Sequence, residues 1–105
     1  MKIAVAVLSD NENSEISDRA GRAPYYLIFD ESGNVIEKIS NPFSIGGGGA
    51  GFGVAKMLAD KGVDIVISAN FGPNMESALN SRGLKSYRMT GKAKEAVLRI
   101  VGNKK

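Results

Sequence analysis

The chain has 105 residues with 14 Lys and Arg against 11 Asp and Glu, a net charge of +3, and it contains neither cysteine nor histidine. That absence excludes disulfides, thiolate and imidazole metal ligands and nucleophile–histidine triads, and leaves methionine thioethers as soft donors and carboxylates as hard ones. With 43% hydrophobic residues, no apolar run near the roughly 18 that span a membrane and no signal-peptide core after Met1, the composition implies one cytoplasmic domain over residues 1–105 with room for one site.

Met1 to Leu8 (MKIAVAVL) is a nearly continuous apolar run that stops at Ser9-Asp10-Asn11, the pattern of a strand buried on both faces. Residues 9–24 are polar and close on Pro24, which predicts a loop. Tyr25 to Asp30 (YYLIFD) and Val35 to Ser40 (VIEKIS) flank Glu31-Ser32-Gly33-Asn34 and predict two strands about a turn. The second of them alternates Val35, Glu37 and Ile39 with Ile36, Lys38 and Ser40, as at a sheet edge. After Asn41-Pro42-Phe43-Ser44 comes a glycine-rich stretch, then VAKMLADKG, whose Val54, Ala55, Leu58 and Ala59 share one helical face and whose Gly62 is placed as a C-terminal cap.

Val63 to Ala69 (VDIVISA) is a second buried strand, and Asn70-Phe71-Gly72-Pro73-Asn74 leads into a helix with Pro73 at its first position. Leu84 to Met89 is the last strand. Thr90-Gly91-Lys92 opens a final helix with Ala93, Ala96, Val97, Ile100 and Val101 facing inward. From Arg82 to the end, eight basic residues stand against one acid, Glu95, a net +7 that admits an acidic partner but also describes an ordinary solvated helix.

The order β-β-β-α-β-α-β-α fixes strand directions. The first three strands alternate in direction, and each later helix returns the chain to a parallel strand. The loop 9–24, the stretch 41–53, the turn 70–74 and residues 90–92 then meet at the carboxyl edge of a mostly parallel sheet, where open α/β folds bind ligands. Three helix N-termini are expected there.

Six glycines in residues 46–53 reduce side-chain bulk before a helix and expose backbone amides, which suits a bulky anion. Gly46, Gly48 and Gly51 match a dinucleotide-type spacing, but Ala69-Asn70 stands where an acid for ribose is wanted, and no Gly-Lys-Ser/Thr follows. The candidate binding residues are therefore Arg19 and Arg22 of the first loop, Gly46, Gly47, Gly48, Gly49, Ala50 and Gly51, Asn70, Gly72 and Asn74 of the turn, and Lys92. Asp10, Glu12, Glu15 and Asp18 lack a calcium-loop pattern and read as a solvated loop. Phe43, Phe52 and Phe71 read as covers of the core or walls of an opening.

Gly21-Arg22-Ala23-Pro24-Tyr25-Tyr26, Asn41-Pro42, Gly48-Gly49-Ala50-Gly51 and Asn70-Phe71-Gly72-Pro73-Asn74, in that order, resemble the recurring blocks of the dinitrogenase iron–molybdenum cofactor biosynthesis family, its NifX-like and NifB-C-terminal-like domains. The resemblance covers nearly the whole chain. It implies a ribonuclease-H-like three-layer α/β/α fold with a five-stranded mixed sheet of order 3-2-1-4-5, strand 2 antiparallel. It also implies a carrier or assembly protein, not an enzyme, for an iron–molybdenum or other metal–sulfur cluster, with a cluster donor or acceptor protein as partner. Family members often read His-Phe before Gly-Arg-Ala-Pro, where this chain has Arg19-Ala20. The expected mode is therefore outer-sphere, with an intact anionic cluster held by basic side chains and amides.

Two other functions compete with it. A nucleotide or phosphometabolite would use the same amides. A ligand-free protein-interaction domain would use the basic C-terminal segment. A nuclease on such a fold would need carboxylates on its central strands for magnesium, and Ile3-Ala4-Val5-Ala6-Val7 has none.

Overall fold

The computed structural model describes residues 1–45 and 49–102. The elements follow the expected order: β1 (Ile3–Val7), β2 (Tyr25–Phe29), β3 (Val35–Ser40), α1 (Ala50–Asp60), β4 (Ile65–Ser68), α2 (Pro73–Ser81), β5 (Lys85–Arg88) and α3 (Ala93–Gly102). They build one five-stranded sheet of order β3-β2-β1-β4-β5. β1 is antiparallel to β2 and parallel to β4, β2 is antiparallel to β3, and β4 is parallel to β5. The expected order and the antiparallel second strand are both observed.

Helices cover both faces of the sheet, which explains why the central strands read as unbroken apolar runs. On one face Ala4, Ala6, Tyr26, Ile28 and Val66 pack with Val54, Ala55 and Leu58 of α1 and Met75 and Leu79 of α2. On the other, Ile3, Val5, Val7, Leu27, Phe29, Ile65 and Ile67 meet Ala93, Ala96 and Val97 of α3. The asymmetry starts in β1. Its small residues face the layer holding two helices, and its branched residues face the layer holding one, where larger side chains fill the space beside a single helix.

The β2–β3 turn is closed by Asp30, whose Oδ1 accepts from the amides of Ser32 and Asn34 at 2.9 Å each. These bonds, the Asn34 amide's first, hold the Asp30 carboxyl below the usual carboxylate range. Gly33 takes a left-handed φ of 85° within it. At the far end of α1, Gly62 (φ 77°) ends the helix as expected, its amide bonding the Ala59 carbonyl at 3.0 Å.

Candidate functional site

The first loop folds back over the sheet's carboxyl edge. Ile16 bridges Val7, the Ser17 amide reaches the Ala6 carbonyl at 2.8 Å, and the Ser17 carbonyl accepts from the Ala69 amide at 2.9 Å and from Ser68 Oγ at 2.8 Å. Asp18 to Arg22 is thereby laid across the end of β4, and the Ala20 amide donates to the Asn70 carbonyl at 3.3 Å. An open groove of about 470 Å³ results, walled by Asp18 to Arg22, by Ala50 and Gly51, and by Asn70 to Met75. That volume lies in the range of small-ligand sites.

Two helices begin at this groove. α1 starts at Gly49, whose φ of 85° is left-handed, and α2 starts at Gly72, with Pro73 inside the first turn; neither has a side-chain cap. Among the described residues the amides of Gly51, Asn74 and Met75 have no acceptor. Uncapped first-turn amides and the positive ends of two helix dipoles are what an anion requires. Several carbonyls nearby are already occupied by internal donors: Arg19 by the Arg22 amide at 3.1 Å, Asn70 by Ala20, and Gly72 by the Glu76 amide at 3.0 Å.

Sequence reasoning starts α1 after Gly53, whereas the helix begins at Ala50, and this changes the role of two glycines. A β-carbon on Gly51 would lie 2.9 Å from Met75 Cβ and 3.2 Å from Met75 Cα and N, so Gly51 lets α1 approach α2 at the groove floor. A β-carbon on Gly53 would lie 2.4 Å from the Phe43 ring. Gly21 completes the floor, 3.3 Å from the Gly51 amide nitrogen by the same measure. Part of the glycine signal thus comes from close packing as well as amide exposure.

Arg19, Arg22, Ala50, Gly51, Asn70, Gly72 and Asn74 are brought together on the groove. Gly49 caps α1 beside it, while Gly46, Gly47 and Gly48 lie outside the described residues. Arg19 is exposed and, among the described residues, its side chain pairs with no acid. Arg22 is half-buried, and its Nη1 donates to the Phe43 carbonyl at 3.1 Å, so it ties the first loop to the segment that leads into the glycines.

Lys92 stands apart. It does not line the groove, and its Nζ is 3.9 Å from Glu15 Oε1. The reason is the layering: α3 lies on the opposite face of the sheet, and its start is taken up by the first loop, with the Ala93 amide on the Ser14 carbonyl and the Lys94 amide on the Glu12 carbonyl, both at 3.0 Å. Two helix N-termini reach the groove, and the expected third is consumed locally.

Six lining residues are not among the candidate binding residues, namely Asp18, Ala20, Gly21, Phe71, Pro73 and Met75, although Phe71 was expected as a wall of an opening. Gly21, Phe71 and Pro73 lie inside the family-like blocks and could have been included on that basis. Asp18 is the acid at the rim, and Met75 reads from periodicity as core, which it also is at 2% exposure. Phe71 is buried, Phe43 packs against the core and Phe52 is 53% exposed, so only Phe71 is a wall of the groove. Among the described residues no three His, Cys, Asp or Glu side chains are grouped to hold a metal ion, and no helix is long and apolar enough to cross a membrane.

The model of the family described as "Dinitrogenase iron-molybdenum cofactor" matches residues 1–103. An uncharacterized protein of Methanocaldococcus jannaschii is 31% identical over 91 residues, spanning 84% of this chain and 74% of that protein. Among solved structures, a Thermotoga protein described as a NifB protein of the DUF35 family superposes with a TM-score of 0.80 at 35% identity, over 96% of this chain and 87% of its own. The apo form of the orange protein of Desulfovibrio gigas has the same fold, with a TM-score of 0.86 at 24% identity over 97% and 88% of the two chains. With the family model matched over 1–103 and a relative aligned over most of its length, the chain belongs to the dinitrogenase iron–molybdenum cofactor family.

Proposed function

We propose that this protein carries an anionic metal–sulfur cluster, of the iron–molybdenum-cofactor or iron–sulfur kind, as cargo in the groove between α1, α2 and the first loop, and hands it on unchanged. One observation carries the reading: two uncapped helix N-termini and Arg19 line a single groove. The family supplies the class of cargo. The donor set decides the mode. A chain without thiols or imidazoles suits a cluster complete in its own ligands, held through charge-assisted hydrogen bonds from amides and Arg19 to its sulfur or oxygen atoms.

Such a role needs no general base, and the protein acts as a carrier between donor and acceptor proteins in the cytoplasm. The layering and strand order support assignment to the ribonuclease-H-like class. Binding of this kind is electrostatic at a surface groove, so it weakens as salt rises. Anaerobic titration with tetrathiomolybdate and with a preformed iron–sulfur cluster, followed by gel filtration, is expected to leave a chromophore on the protein at low salt and strip it at high salt. No retained chromophore at low salt refutes the reading. Retention of ATP or a sugar phosphate in preference to either probe would replace it with phosphometabolite binding.

A further inference from the structure

The turn from Arg19 to Pro24 is held from beneath by two buried polar side chains that do not themselves line the groove. Tyr26, fully buried in β2, donates its hydroxyl to the Ala20 carbonyl. Asn41, 3% exposed just after β3, donates Nδ2 to the Gly21 carbonyl at 3.2 Å and to the Ala23 carbonyl at 2.8 Å. Asn41 is itself fixed: its Oδ1 accepts from the Phe43 amide at 2.9 Å and its own amide donates to the Pro24 carbonyl at 3.0 Å.

We propose that Tyr26 and Asn41 are positioning residues that set the sign of the groove, by holding three carbonyls of the arginine-bearing turn inward so that this turn offers a ligand donors and not acceptors. The inference rests on the anion-carrier reading above. A peptide carbonyl carries partial negative charge, and one released toward the groove would face an anionic ligand and repel it in a partly desolvated site, where such dipoles act strongly. Buried hydroxyl and amide groups also cost free energy unless satisfied, and at these two positions their partners are the carbonyls of one turn. With the Arg19 and Asn70 carbonyls occupied by the amides of Arg22 and Ala20, five oxygens around this wall are bound internally. Among the described residues, the first-turn amides of Gly51, Asn74 and Met75, all three residues lining the groove, have no acceptor and are left for a ligand. Neither side chain touches the cargo; both act through the backbone.

The test is Tyr26→Phe, which keeps the ring and removes the donor, measured beside wild type, Arg19→Ala and Tyr25→Phe. Tyr25 packs toward the α3 layer and serves as the control for loss of a phenol hydroxyl elsewhere. Tetrathiomolybdate affinity is taken over a salt series, with melting temperature alongside. Tyr26→Phe is expected to weaken binding about fivefold, the worth of one hydrogen bond, with the salt dependence of wild type because no charge is lost. Arg19→Ala should flatten the salt dependence, and Tyr25→Phe should bind as wild type.

A Tyr26→Phe protein that melts lower yet binds as tightly as wild type overturns the inference and shows a structural role alone. Should that variant not fold, carbonyl-carbon NMR of the wild type decides. The Ala20, Gly21 and Ala23 carbonyls should stay fixed during titration while the Gly51 and Asn74 amides move, and release of those carbonyls on binding overturns it. A wild type that binds no anion is a different result, which removes the carrier reading itself.

Discussion

Gly51→Ala tests whether the groove floor depends on the close approach of α1 to α2. The new β-carbon would stand 2.9 Å from Met75 Cβ and 3.2 Å from both Met75 Cα and N, so two of the three atoms that must yield belong to the backbone of α2 and the third is fixed to it. Overpacking of this kind costs about 1–3 kcal/mol, and rigid backbone places it toward the upper end. Gly51 has no positive φ, so alanine meets no conformational penalty and recovers roughly 0.5–1 kcal/mol of helix propensity. The expected net is a loss of about 1–2 kcal/mol, or roughly 5–15 °C in melting temperature for a chain this size, with weaker tetrathiomolybdate binding as the helices part.

Gly53→Ala is the paired control. The three atoms nearest its β-carbon, at 2.4–2.9 Å, all belong to the ring of half-buried Phe43, which can swing aside, so helix propensity offsets most of the cost and the melting temperature should move much less. Thermal unfolding by circular dichroism compares the two. A Gly51→Ala protein as stable as wild type, or as stable as Gly53→Ala, refutes the packing argument.

Arg19→Ala should leave the melting temperature unchanged, since the side chain is exposed, while reducing tetrathiomolybdate affinity and its salt dependence; unaltered affinity by titration would remove Arg19 from the site. Asp18→Asn, which removes the acid at the rim, should tighten the same binding at low salt, and weaker binding would reverse the assigned sign of the groove. Lys92→Ala should not change anion binding, because the residue sits with Glu15 outside the groove; a loss comparable to Arg19→Ala would show that the α3 start contributes after all. Asp30 supports stability at pH above the ordinary carboxylate range, and that support is lost as pH falls through its lower folded value. Asp30→Asn keeps an oxygen for the turn amides but cannot titrate, so melting temperature measured from neutral pH downward should fall less steeply in acid than for wild type, and parallel curves would count against the assignment.

What was legible in the sequence is local or periodic. The apolar runs of β1 and β4 signalled strands buried on both faces, the alternation in 35–40 marked an edge, and Gly62 and Pro73 marked helix ends, because each follows from one residue's backbone freedom or from a pattern within one element. Counting strand directions then put the loop, the glycine stretch and the turn at one edge. The start of α1 is not legible in the sequence, because Gly51 and Gly53 lower local helix propensity. Their place inside the helix depends on Met75 and Phe43, which are distant in sequence.

The sequence by itself determined the strand directions, the edge that carries the groove and the absence of thiol and imidazole donors, since these follow from composition, periodicity and the alternation of helices with strands, while the sheet order was what the family resemblance implied. Only the tertiary structure decided which residues at that edge share one groove. The edge has two sides, and a string of letters does not say on which side a helix packs. α3 went to the layer opposite α1 and α2, so Lys92 was drawn to Glu15 and its helix start was capped by Ser14 and Glu12. The same packing buried Tyr26 and Asn41 beneath the arginine turn, where their hydrogen bonds, invisible to any local pattern, set which polar groups face out.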